Sequence, residues 1–166
     1  VLKDPSNTAM IPQLLSLYPN AKFVYIIRDP YDTFLSQCHL FNAFQQSFQL
    51  QTMPPDTLAI KKTVIHYSRS IQKRYLRDRN LIKPGNLVEC KYEDLSVAPL
   101  LQIERIYTAL QLTGFAEVKQ NLAAFIGQQT SYKKNSFTLM DEDKQLVNQF
   151  WKMTFQEFAY SKFELV

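Results

Sequence analysis

The chain has 166 residues, 46% hydrophobic and 20% charged, the composition of one globular domain and not of a disordered segment. Nineteen Lys and Arg against fifteen Asp and Glu give a net charge of +4, a mild preference for anionic ligands and too little to argue for nucleic acid. No run approaches the ~20 apolar residues of a membrane span, and no signal-peptide pattern opens the chain. The expectation is a single domain over residues 1–166, cut from a longer protein, since the sequence opens without Met inside the apolar pair Val1–Leu2.

Only three glycines occur, Gly85, Gly114 and Gly127, so neither a Walker-type loop nor a three-glycine dinucleotide fingerprint fits within the chain. Any phosphate chemistry here must use side chains and helix ends, or a loop outside the sequence. Cys38 and Cys90 form no CxxC, and His39 and His66 are the only histidines. That set does not build a structural zinc site, and no metal is expected. Two isolated cysteines fit the cytoplasm and also a lumenal enzyme.

In chain order, Val1–Leu2 reads as the tail of a strand stopped by Lys3-Asp4-Pro5. Asn7 and Thr8 are candidate caps for a helix carrying Ile11, Leu14, Leu15 and Tyr18, with Pro12 in its first turn. Lys22 to Ile27 is β-branched and aromatic without alternation, which predicts a strand covered on both faces. Arg28-Asp29-Pro30 ends it, with Asp29 as the cap and Pro30 as the first residue of a helix to about Phe44.

Gln49 to Pro55 reads as loop. A long helix is predicted from Asp56 to Asn80, burying Leu58, Thr63, Val64, Tyr67, Ile71 and Tyr75. Lys83-Pro84-Gly85-Asn86 is a turn before a second strand, Leu87 to Tyr92. Helices follow from Pro99 to Leu112 and from Phe115 to Ile126. A polar loop spans Gln128 to Leu139, and Asp141 caps a last helix. Three strand pieces alternating with helices predict an α/β fold, the second half of a doubly wound parallel sheet whose ligands sit beyond the strands' carboxyl ends.

Arg28 stands at such an end. Its guanidinium matches phosphate oxygens in a bidentate way, and the helix after it offers N–H groups and a positive dipole end. Ser36, about five residues into that helix and roughly 7 Å along its axis, can meet the same oxyanion. The same residues also read as an arginine paired with Asp29 or Asp32 and a serine bonded to its own helix. Lys3, at the first strand's end, could stabilise charge on a transferred group, or be an ordinary surface lysine. Tyr92 could pack on a planar base. The basic clusters Lys61-Lys62 and Lys73, Arg74, Arg77 and Arg79 read most simply as solvated helix face.

Val1-Leu-Lys-Asp-Pro-Ser-Asn-Thr, then Tyr18-Pro-Asn-Ala-Lys-Phe through Arg28-Asp-Pro to Ser36, then Tyr92-Glu-Asp-Leu and Tyr132-Lys-Lys-Asn-Ser-Phe resemble the C-terminal portion of a sulfotransferase that uses 3'-phosphoadenosine 5'-phosphosulfate. The opening is closer to bacterial-type and protein-tyrosine-sulfotransferase-like members than to cytosolic small-molecule enzymes. The resemblance implies a P-loop-type sulfotransferase fold lacking here its N-terminal strand and phosphosulfate loop. It implies sulfuryl transfer from that sulfonucleotide to an acceptor hydroxyl or amine by the intact protein, with this segment alone inactive. Arg28 and Ser36 would hold the 3'-phosphate and Tyr92 the adenine. Thr130, Ser131 and Tyr132 fall near a loop closing on the nucleotide, assisted by Lys133 or Lys134, and Lys3 lies near the sulfuryl group. Cytosolic relatives carry a catalytic His where this chain has Pro5, so the base must lie elsewhere, Asp4 being one candidate. The rival readings are half of a P-loop nucleotide kinase and a non-catalytic module binding an acidic partner.

Overall fold

A computed structural model of the chain describes residues 1–48, 50, 56–128 and 137–163. After a short 3₁₀ turn, Pro5–Ala9, the elements are α1 (Ile11–Leu17), β1 (Phe23–Ile27), α2 (Pro30–Phe48) and α3 (Thr57–Asp78). A 3₁₀ turn at Arg79–Leu81 leads to β2 (Leu87–Lys91), α4 (Tyr92–Val97), α5 (Pro99–Ala109), α6 (Phe115–Gln128), α7 (Asp141–Phe150) and α8 (Lys152–Phe158). The chain groups into two compact units, Val1–Arg28 with Arg74–Lys134, and Asp29–Lys73 with Asn135–Val166.

The first unit is α/β. Its β1 and β2 pair in parallel, from Phe23 opposite Leu87 to Ile27 opposite Lys91. Gly85, at φ +83°, makes the turn that an L side chain would strain, and Phe23 N–H then donates to Asn86 O at 2.7 Å, setting the ladder's start. Ile11, Ile27, Ile82, Val88, Cys90 and Leu110 are buried. The Lys22 ammonium donates to the carbonyls of Leu110 and Gln111, answering the open carbonyls and negative dipole end of α5.

Two expectations fail in this unit. Val1–Leu2 is not a strand: both residues are exposed and pair with no ladder among the described residues, so the sheet has two strands. Nor is β1 covered on both faces. Val24 and Ile26 are 44% and 43% exposed, whereas Tyr25, on the alternate face, stacks on Tyr75 with ring centroids 3.8 Å apart. The parallel ladder was legible, but which face a helix covers depends on residues distant in sequence.

The second unit is helical. Tyr31 and Phe34 of α2, Val64 and Ile65 of α3, Val147 of α7, Trp151 and Phe155 form its core. The Trp151 indole N–H donates to Ile65 O at 3.1 Å, so the largest core side chain carries no unsatisfied donor. The buried face of α3 includes Ile65 and Ser68, while the expected Leu58, Thr63 and Tyr67 are exposed. Apolarity misplaces this stripe because polar residues join it in pairs: Ser68 donates to Gln37, and Thr154 donates to Gln72. The Lys61 ammonium pairs with Asp143, which is buried. The final predicted helix is two, α7 and α8, meeting at Trp151.

Candidate functional site

The carboxyl ends of β1 and β2 lie level because the strands are parallel and Ile27 pairs with Lys91. The next residue of each strand is therefore Arg28 beside Tyr92. The Arg28 guanidinium carbon lies 4.7 Å from the centroid of the Tyr92 ring, a cation–π contact. Both side chains are half-buried. Tyr92 leaves the strand at once and becomes the first residue of α4, so its ring is held by a strand end and a helix start together. A forked cation lying on an aromatic face, beyond parallel strand ends, suits an anion joined to a planar ring.

Behind the site, Glu89 joins both strands to the end of α3. The Tyr75 hydroxyl donates to Glu89 Oε1 at 2.6 Å, and Arg79 Nη1 donates to the same oxygen at 3.0 Å. Burial and neighbouring Glu89 push the Tyr25 hydroxyl up to about 12. Burial and the hydrogen bond to Glu89 push Tyr75 higher still. Both tyrosines stay neutral at physiological pH and brace the ladder. Tyr75 is core, as expected, whereas Arg79 pairs with Glu89 and is not simply solvated helix face; Glu89 is not among the sequence candidates, and its signal is a carboxylate facing Tyr25 across the sheet.

Asp29 caps α2 as expected, but its hydrogen bonding changes what the helix end can offer. Asp29 Oδ1 accepts from Tyr31 N–H at 2.9 Å and Asp32 N–H at 3.1 Å, and Thr33 N–H donates to Asp29 O at 2.9 Å. Pro30 has no N–H. The open amides expected at this helix start are thus engaged, and a bound anion must be held by side chains. Ser36 lies in the second turn of α2, half-buried, in the second unit.

Lys3 is exposed and is not a strand end, which corrects its expected setting. Asp4 is the cap of the first 3₁₀ turn. Its carboxylate accepts from Ser6 N–H at 2.6 Å, and that bond holds its pKa below the usual value, the wrong direction for a base at neutral pH. Asn7 and Thr8, expected as caps, lie inside that turn. Thr130, Ser131, Tyr132, Lys133 and Lys134 lie outside the described residues, as does the expected loop from Gln49 to Pro55 apart from Leu50. Among the described residues, no group of three His, Cys, Asp or Glu side chains is placed to hold a metal ion.

The sulfotransferase family profile matches residues 1–117, which include the whole β1–β2 ladder with Arg28 and Tyr92. The chain belongs to the sulfotransferase family. Two curated relatives, the omega-hydroxy-beta-dihydromenaquinone-9 sulfotransferases Stf3 of Mycobacterium bovis and Mycobacterium tuberculosis, are each 31% identical over 162 residues. Those alignments cover 98% of this chain and 41% of each relative, so the chain spans less than half of their length. The crystal structure of sulfotransferase STF9 from Mycobacterium avium superposes with a TM-score of 0.78 at 19% identity, covering 96% of this chain and 42% of that one. That likeness bears on the α/β fold.

Proposed function

We propose that this segment forms the nucleotide end of a sulfuryl-transfer site in a longer protein, and that the donor is 3'-phosphoadenosine 5'-phosphosulfate. The observation that carries this reading is the Arg28–Tyr92 pair at the level ends of two parallel strands, with the guanidinium 4.7 Å from the ring centroid. The donor set fits the ligand's two chemistries: a guanidinium fork for a phosphate and an aromatic face for a base. Arg28 takes the 3'-phosphate, with Ser36, further along the chain in α2, supplying a hydroxyl to the same group. Tyr92 lies against the adenine. Thr130, Tyr132, Lys133 and Lys134 are assigned to the same nucleotide by resemblance, and Lys3 to the sulfuryl end.

The donor, once bound, supplies a sulfuryl group to an acceptor nucleophile. What Arg28 and Tyr92 contribute is fixed placement of the adenosine bisphosphate, so that its far end is presented to groups outside this chain. The strand–loop–helix gripping the phosphosulfate is assigned to the remainder of the longer protein. The two mycobacterial relatives are named for a hydroxylated dihydromenaquinone, which favours a hydroxyl over an amine as acceptor here.

Calorimetric titration of the full-length protein tests the nucleotide assignment. Adenosine 3',5'-bisphosphate should bind at least about tenfold more tightly than 5'-AMP, the ratio expected when one charge-assisted hydrogen bond is lost with the 3'-phosphate. Equal affinities would remove the 3'-phosphate from Arg28.

A further inference from the structure

Past α8 the chain runs from Ala159 to Phe163 outside any helix or strand, all of it within the second unit. Ala159 ends α8 in the left-handed region, at φ +51°, and Tyr160 N–H donates to Phe155 O at 3.1 Å. The tail beyond that turn meets the start of α2. The Tyr31 hydroxyl accepts from Phe163 N–H at 3.0 Å, and the side-chain amide of Asn148 in α7 donates to Phe163 O at 3.2 Å. The same hydroxyl donates to Asn148 Oδ1, so one closed ring of hydrogen bonds joins α2, α7 and the tail. Two side chains thus satisfy both backbone groups of one residue, as a neighbouring strand would.

The rings follow the same path. The Phe163 ring centroid lies 5.0 Å from that of Tyr31, which lies 5.3 Å from that of Phe155. Lys144 Nζ stands 5.7 Å from the Phe163 centroid, and Lys162 Nζ stands 5.6 Å from the Phe155 centroid. Phe163 nonetheless remains 55% exposed, whereas Tyr31 is 2% exposed. A shallow contact of few bonds opens far more readily than the core beside it. Tyr31 also reaches the other way: its N–H donates to Asp29 Oδ1 at 2.9 Å in the cap of α2. One residue therefore carries both a capping bond of the helix and the anchoring bond of the tail.

We propose that Tyr31 and Asn148 form a seat for an extended peptide segment, that the chain's own tail at Phe163 fills it, and that the seated tail is a releasable strap on the start of α2. The occupant comes from the same chain: Phe163 is four residues from the Ala159 turn, a reach of at most about 14 Å, and Lys162 between them lies on Phe155 of the helix the tail has just left. Release of the tail leaves the Tyr31 hydroxyl with one partner instead of two, and the first turn of α2 with its cap alone. Ser36 stands on that helix, so the strap also steadies one side of the anion site. This last consequence rests on the nucleotide reading above; the strap itself does not.

Hydrogen exchange of the full-length protein, read at the Phe163 amide by nuclear magnetic resonance, decides it. Tyr31→Phe keeps the ring and removes the hydroxyl, so that amide should exchange about fivefold faster, the factor for one neutral hydrogen bond. Asn148→Asp keeps an acceptor for Tyr31 and loses the donor to Phe163 O, and should release the tail likewise. Far-ultraviolet circular dichroism identifies any variant that has lost its fold, and a second arm needs no variant. Adenosine 3',5'-bisphosphate added to the parent should slow exchange at Phe163, and by reciprocity Tyr31→Phe should weaken binding of that nucleotide. Phe163 exchange unchanged in both folded variants would overturn the strap. Protection that rises with protein concentration would place the tail on a second copy and overturn the assignment to the same chain. Faster exchange at Phe163 with nucleotide affinity unchanged would overturn the coupling to the anion site. A parent that binds no bisphosphonucleotide would remove the nucleotide reading and the coupling with it, while the exchange comparison, made without nucleotide, still decides the strap.

Discussion

Removing the Arg28 guanidinium is the sharpest perturbation of the proposed nucleotide site. Two energies act at that position. A charge-assisted hydrogen bond to a phosphate contributes about 1.5–3 kcal/mol. Contact with the Tyr92 ring at 4.7 Å contributes about 0.5–1 kcal/mol at a half-buried position, and it mainly positions the fork. Arg28→Ala in the full-length protein should therefore weaken adenosine 3',5'-bisphosphate binding by about 2–3 kcal/mol, roughly 30- to 150-fold. Arg28→Lys keeps the charge but loses the fork and should recover only part of that loss. Tyr92→Leu should cost about 1 kcal/mol by itself. The double variant should cost less than the sum, because the two groups touch. Isothermal titration reads all four proteins, with thermal melts checking that each remains folded. Bisphosphonucleotide affinity unchanged in Arg28→Ala would falsify the assignment of the phosphate to this strand end.

Three further outcomes follow from the described contacts. Tyr25, raised to about 12, and Tyr75, raised further, keep their protons where an unfolded tyrosine loses its own near pH 10. Their contribution to stability is complete below pH 10 and falls as pH rises through their folded values, so denaturant melts should lose stability between about pH 10 and pH 12, and Tyr75→Phe should flatten that loss. Replacing Asp29 by alanine frees the amides of Tyr31 and Asp32, and chemical denaturation should show a loss of about 1 kcal/mol; no loss would mean that water caps the helix equally well. Lys61→Met leaves buried Asp143 without its cation and should destabilise by about 3–5 kcal/mol, whereas Lys61→Met with Asp143→Leu should recover most of it.

The legible parts of this chain were those written in local chemistry. The Asp29-Pro30 cap, the β-branched run of β1, the Pro84-Gly85 turn and the Pro99 helix start each depend on residues within a few positions, and each appears where it was read. Long-range chemistry was not legible. Ser68 and Gln72 look like solvent-facing residues until Gln37 and Thr154 arrive from other helices to satisfy them. Val1–Leu2 has the composition of a strand, yet a strand exists only where a neighbour supplies its hydrogen bonds. At the site, Arg28 and Tyr92 were each singled out by position, but their cation–π partnership depends on the pairing of two strands more than fifty residues apart, which residue types alone do not reveal. Asp29 was found as a cap, while its capture of both neighbouring amides, which takes them away from any anion, emerges only from geometry.

The alignment of β1 with β2 does more than close a sheet. Slide one strand by a single residue and Arg28 comes level with Lys91 in one direction or with Glu93 in the other. The first offset sets like charges side by side, and the second swaps an aromatic plane for a carboxylate. A frameshift of the backbone would therefore erase the cation–π pair while leaving the number of strand hydrogen bonds almost unchanged. The same five-residue zipper thus sets the sheet's register and the Arg28–Tyr92 pairing on which the proposed site rests.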